Sequence, residues 1–206
     1  MKVTYLFMVL MVTTGIVSHA IALEFDAEGY NALGYQGTNV HLKAGYYLMT
    51  NGADILHEKL EENQIVKVAG AFDAMSAKLV EMNNFDAVWA GSFAISATHA
   101  VPDASILTMT EFFDAASNMA ETCKIPVIAD CDTGYGGPSN VSHMVRKYEN
   151  AGIAAICIED KTFPKQNSLL ENGQNDLISE KEFVAKIIAA KEAKQDKNFM
   201  IIARIE

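Results

Sequence analysis

Residues 126–137 read PVIADCDTGYGG, and this stretch decides the fold. Pro126 to Ala129 are apolar without interruption, and the run ends abruptly at Asp130. A glycine-rich loop follows, and helical spacing begins near Ser139. An apolar run without alternation marks a strand covered on both faces, as in parallel sheets.

Four more runs of the same kind flank it: IVKVAGA (65–71), AVWAGS (87–92), AAICIED (154–160) and FMIIARIE (199–206). Helical segments are predicted between them. Ala74–Asn83 carries Met75, Leu79 and Met82, and Thr110–Cys123 carries Phe112, Phe113, Ala116 and Met119. Ser139–Ala151 carries Val141, Met144, Val145 and Tyr148, and Ser179–Gln195 carries Phe183, Ile187, Ile188 and Lys191. Ser179 and Glu182 have capping-box spacing, and Gly152 suits a left-handed helix end. Strands alternating with helices, without hairpin signals, imply right-handed βαβ units. A doubly wound sheet and a (β/α)8 barrel both satisfy that pattern, although no GxGxxG follows the first strand.

The unusual polar residues gather at the C-terminal strand ends, where parallel α/β folds carry their sites. Asp130 and Asp132 close the third strand, Glu159 and Asp160 the fourth, Arg204 and Glu206 the fifth. Asp130 and Asp132 are two apart, so on a strand they share one face. With Glu159 they make an oxygen-rich corner. Such a corner suits Mg²⁺, which keeps several waters and takes one or two carboxylates directly. The alternative is that these acids cap the next helix. The polar stretch from Lys161 to Ser179 is long for a βα loop, and long loops at such sites often act as lids.

Composition bounds the rest. The chain has 206 residues, 50% hydrophobic and 20% charged, with net charge −10. That excludes a disordered tail and opposes nucleic-acid binding, which needs clustered Lys and Arg. Cys123, Cys131 and Cys157 have no zinc spacing. Residues 1–22 resemble a signal peptide, with Lys2, an apolar stretch and Ala20-Ile21-Ala22. They are too short for a stable membrane span. Residues 23–53 are expected to be an irregular connector, and 54–206 the globular α/β domain. Met49 is an alternative start, which would remove the leader.

DCDTGYG (130–136) and the loop Glu159-Asp160-Lys161 to Phe163-Pro164-Lys165 and Asn167-Ser168 together resemble the phosphoenolpyruvate mutase branch of the isocitrate lyase superfamily. Trp89, the stretch from Ser96 to Ser105, and Ala203-Arg204 match as well. The resemblance implies a (β/α)8 TIM-type barrel, present here as about five parallel strands. It implies Mg²⁺ and small-molecule substrates, phosphoenolpyruvate and phosphonopyruvate. It further implies a homotetramer in the cytoplasm, with export as the alternative if the leader is real.

Residue by residue, the resemblance makes Asp130 the direct Mg²⁺ ligand, with Asp132, Glu159 and Asp103 holding its waters. Trp89 walls the pocket. Gly91, Ser92 and Phe93 offer backbone N–H groups. Arg204 contacts the phosphoryl group, and Lys165, Asn167 and Leu169 sit on the loop. Lyase members carry a cysteine on this loop, and residues 161–168 have none. The related hydrolase tends to have Thr where Asn167 stands, which points to the mutase. Two departures run the other way. Trp89-Ala90-Gly91-Ser92 replaces the mutase's usual Trp-x-Ser-Gly, and Gly70-Ala71-Phe72-Asp73 is closer to hydrolase and lyase relatives. Since a (β/α)8 barrel typically takes about 250 residues, the chain is expected to be a fragment, poorly stable and inactive alone.

Overall fold

The computed structural model describes residues 5–6, 20–25, 43–47, 51–63, 65–167 and 177–205. The chain divides into two compact units, residues 1–50 and 51–206. In the first, strands β1 (Tyr5–Leu6), β2 (Ala20–Phe25) and β3 (Lys43–Tyr47) form an antiparallel sheet in that order. Regular strands therefore cross part of the stretch expected to be irregular. Among the described residues, no helix is long and apolar enough to cross a membrane.

The second unit opens with α1 (Gly52–Asn63), which the sequence reading omitted. Its Ala53 and Leu56 are buried, and Leu60 packs against the cluster that holds Leu56. Five strands follow: β4 (Val68–Ala71), β5 (Ala87–Ala90), β6 (Val127–Asp130), β7 (Ala155–Glu159) and β8 (Met200–Arg204). They pair in parallel in chain order, β4 to β8. Register brings Asp130 opposite Cys157, and Glu159 opposite Arg204, so the polar strand ends align on one edge. β7, at every position, is buried, as the continuous run of 154–160 requires. β4 and β8 are half exposed, because each has a neighbour on one side.

The connecting helices are α2 (Ala74–Met82), α3 (Ser92–Thr98), α4 (Met109–Thr122), α5 (Pro138–Asn150) and α6 (Glu180–Ala193). Asp73 and Ser76 make a reciprocal capping box on α2, and on α4 the Glu111 carboxylate accepts from the Thr108 amide at 2.7 Å and from its hydroxyl at 2.9 Å. Gly137 precedes α5, with Pro138 at the first helical position, where its missing N–H costs nothing. Ser179 accepts from the Glu182 amide at 3.2 Å. Gly152 is left-handed, at φ 77°.

α5 buries all four residues expected of it: Val141, Met144, Val145 and Tyr148. Each such side chain contributes roughly 1.5–3 kcal/mol. α2 corrects the reading. Met75, Leu79 and Met82 are 70, 53 and 69% exposed, and the small residues Ala77 and Val80 face the core instead. In α6 the buried row is Phe183, Lys186, Ala190 and Ala193, while Ile188 points outward at 49% exposure.

Candidate active site

Asp130 ends β6 and organises what surrounds it. Its Oδ2 accepts from the Ser92 hydroxyl at 2.9 Å and the Ser92 amide at 3.3 Å, and its Oδ1 accepts from the Asp132 amide at 3.2 Å. Asp132 lies beyond the strand, in a turn, with left-handed φ of 49°. A turn, rather than strand alternation, therefore brings it to the corner. Its carbonyl accepts from the Glu159 amide at 2.8 Å, which ties the loop to β7. Gly134, at φ 87°, has no room for a side chain: a Cβ there would meet Val141 Cγ2 at 2.7 Å. The acids do not cap α5, whose N-cap is Gly137.

Lys165 enters this corner from the loop after β7. Its Nζ lies 2.5 Å from Asp132 Oδ1, 3.0 Å from Asp103 Oδ1 and 3.7 Å from Glu159 Oε1. It also donates to Ser92 Oγ at 3.2 Å. The side chains of Lys165, Asp132 and Glu159 are at most 5% exposed. Burial pushes the Asp132 and Glu159 carboxyls above their ordinary range, against the pull of Lys165. Burial works to lower the Lys165 ammonium, but Asp132, Asp130 and Glu159 outweigh it and hold it above its usual value. Arg204 Nη1 reaches Glu159 Oε2 at 3.5 Å from the rim, with its side chain 46% exposed.

A cavity of about 460 Å³ opens at these strand ends. Trp89, Gly91, Ser92 and Phe93 line one side, Asp103, Asp130 and Glu159 another, and Lys165, Asn167 and Arg204 the remainder. All the expected site residues converge there except two. Asp132 sits behind Lys165 rather than on the wall, and Leu169 lies outside the described residues. A Cβ on Gly91 would meet the Trp89 ring at 3.0 Å, so the indole packs directly against that glycine. The Ser92 amide is engaged by Asp130. Phe93 is 59% exposed at the opening. Asn167 Nδ2 donates to Asp103 Oδ2 at 3.3 Å.

The donor set fits a hydrated hard cation. Asp103 Oδ1, Asp132 Oδ1 and Glu159 Oε1 are buried and share the single Lys165 ammonium as their cationic partner. The Lys165 ammonium is close enough to each for charge attraction, but its three N–H bonds cannot be aimed at all of them. Among the described residues no three carboxylate, thiol or imidazole groups converge tightly enough to hold a bare ion. An ion with one direct carboxylate and waters bridging to the others matches both facts.

The sequence reading missed two supporting residues. Ser105 Oγ accepts from the Lys165 amide at 3.0 Å and anchors the loop. Lys186 on α6 is 4% exposed and donates to the Thr133 carbonyl at 3.1 Å, bracing the turn that carries Asp132. Its spacing of three from Phe183 and four from Ala190 was the available signal.

A parallel α/β array with an acidic corner at the C-terminal strand ends places the candidate site where α/β barrels carry theirs. Comparison with known proteins narrows this. The sequence profile of the phosphoenolpyruvate phosphomutase family matches residues 56–206. The chain belongs to that family, within the phosphoenolpyruvate mutase/isocitrate lyase superfamily. It is 50% identical to a solved phosphoenolpyruvate phosphomutase from Streptomyces platensis subsp. rosaceus, with TM-score 0.73, covering 75% of this chain and 53% of that one. Phosphonopyruvate hydrolase from Variovorax sp. is 42% identical over 151 residues, 73% of this chain and 52% of the hydrolase. A structure of phosphonopyruvate hydrolase with oxalate and Mg²⁺ superposes with TM-score 0.70 at 39% identity, covering 76% of this chain and 53% of that one. The chain thus spans about half the length of the relatives it matches.

Proposed function

We propose that the full-length protein interconverts phosphoenolpyruvate and phosphonopyruvate, acting with Mg²⁺. One observation carries this reading: Asp130, Glu159, Lys165, Asn167 and Arg204 line a single cavity, with no thiol among the described residues of its wall. The corner provides for a cation, and the loop and rim provide donors for a phosphoryl group. The cysteines nearest the site are unsuited to acid–base work. Cys157 is pushed up to about 12 by burial, and Cys131 well above its usual value by the same cause. That disfavours carbon–carbon cleavage by a thiol acid.

Asp130 would hold Mg²⁺ directly, and Asp103, Asp132 and Glu159 would hold its waters. When bound, the ion supplies Lewis-acid stabilisation of negative charge on the pyruvate oxygens. The chain's own groups do the rest. In the direction from phosphonopyruvate, the C–P bond breaks and its electron pair passes into the pyruvate enolate. The enolate oxygen then forms the new O–P bond. Arg204 and Asn167 would orient the phosphoryl oxygens through this loose, metaphosphate-like passage. Trp89 and Phe93 would shield it from water, which would otherwise capture the group.

A second reading, hydrolysis of phosphonopyruvate to pyruvate and phosphate, draws on the sequence Gly70-Ala71-Phe72-Asp73 and the similarity to the hydrolase. The two differ in whether water reaches the phosphorus. Phosphorus-31 NMR of phosphonopyruvate with the full-length protein and Mg²⁺ separates them: phosphoenolpyruvate for the mutase, inorganic phosphate for the hydrolase. Homotetrameric assembly and a cytoplasmic location belong to the same proposal.

A further inference from the structure

Lys165 occupies the acidic corner at the strand ends. Its ammonium contacts Asp132 Oδ1, Asp103 Oδ1 and Glu159 Oε1 at 2.5, 3.0 and 3.7 Å. An ammonium and a water molecule are of similar size, so these oxygens cannot receive both at one point. The match is also incomplete. One N–H goes to Ser92 Oγ at 3.2 Å, which leaves two for the three carboxylate oxygens around it. A hydrated divalent ion brings more donors, on several waters, and can serve all three at once.

The loop also gives the displaced side chain somewhere to go. The Lys165 backbone is held by Ser105 Oγ at 3.0 Å, so the residue stays at the site while its side chain turns. The adjoining cavity of about 460 Å³ is lined by Lys161, Asn167 and Arg204 as well as Lys165.

We propose that Lys165 is the resident cation of the acidic corner, that it and a hydrated divalent ion exclude one another there, and that metal loading delivers the ammonium to the cavity as an anchor for an anionic substrate. Binding is then ordered, with metal first and phosphoryl-bearing substrate second. This rests on the Mg²⁺ reading of the corner.

The test is Mg²⁺ titration of the full-length protein by calorimetry, without substrate, for wild type and Lys165→Met. Competition predicts tighter Mg²⁺ binding by the variant, by roughly fivefold or more, the lower range of measured site couplings. Equal or weaker binding by a folded variant overturns the inference. Binding by neither protein overturns the Mg²⁺ reading itself and the inference with it. A wild-type measurement avoids dependence on the variant's folding. Lysine acetylation read by mass spectrometry should show Lys165 protected without Mg²⁺ and severalfold more reactive with it. Protection unchanged by saturating Mg²⁺ contradicts the exchange.

Discussion

The ammonium of Lys165 lies 2.5 Å from Asp132 Oδ1, with the two side chains 5 and 3% exposed. Removing one partner of a buried pair costs roughly 3–5 kcal/mol, because the other charge is left uncompensated. The contact therefore fixes the loop after β7 against the loop after β6, and it builds the site from two separate strand ends. Ser92 in turn bridges Lys165 to Asp130.

Ser92→Ala should weaken Mg²⁺ binding. The hydroxyl that orients Asp130 Oδ2 at 2.9 Å is lost, and groups that orient a metal ligand typically matter about 10–100-fold in affinity. Calorimetric Mg²⁺ affinity of the folded variant is the measurement, and an unchanged constant would remove Ser92 from the positioning of Asp130.

Asn167→Ala should lower mutase turnover by more than about tenfold, or roughly 1.4 kcal/mol of barrier. The amide sits on the cavity wall, within reach of Asp103. Steady-state kcat on phosphonopyruvate checks this, and full turnover would sink the assigned role.

Much of this arrangement was legible in the sequence. Continuous apolar runs located β5, β6 and β7 because central parallel strands have no polar face to show. Asp130, Glu159 and Arg204 were legible because a charged residue ending such a run can only stand at the strand mouth. Other features were hidden for physical reasons. α3 is only seven residues long, with Phe93 and Ile95 as its large apolar side chains, so it is too short to show a helical period. The α2 stripe misled because Ala77 and Val80 let that helix pack closely, leaving the larger Met75 and Leu79 outside. The place of Lys165 among the carboxylates depends on Ser105 holding its backbone, a contact that no local pattern encodes.

Gly134→Ala should destabilise the second unit by roughly 1–3 kcal/mol, the usual cost of overpacking. The new methyl group would meet Val141 Cγ2 at 2.7 Å, at a φ of 87° that alanine resists. Denaturant unfolding of the full-length protein measures the difference.

The pH dependence has a definite sign. Burial holds the Glu159 carboxyl above its ordinary value of 4.5. The folded protein therefore retains this proton over a range in which the unfolded chain has lost it. The stability Glu159 contributes is fully present below the unfolded pKa and is lost as pH rises through the folded pKa. In metal-free buffer, the thermal midpoint of wild type relative to Glu159→Gln should fall as pH is raised from about 4 to about 7. A rising difference would show that the Lys165 and Arg204 charges outweigh burial.

Phosphonopyruvate turned over in oxygen-18 water, with the full-length protein and Mg²⁺, tests the central claim most directly. Transfer within a site closed to water predicts phosphoenolpyruvate whose phosphoryl group carries no label. Inorganic phosphate bearing oxygen-18 would contradict it, because water, not the enolate oxygen, would then have taken the phosphoryl group.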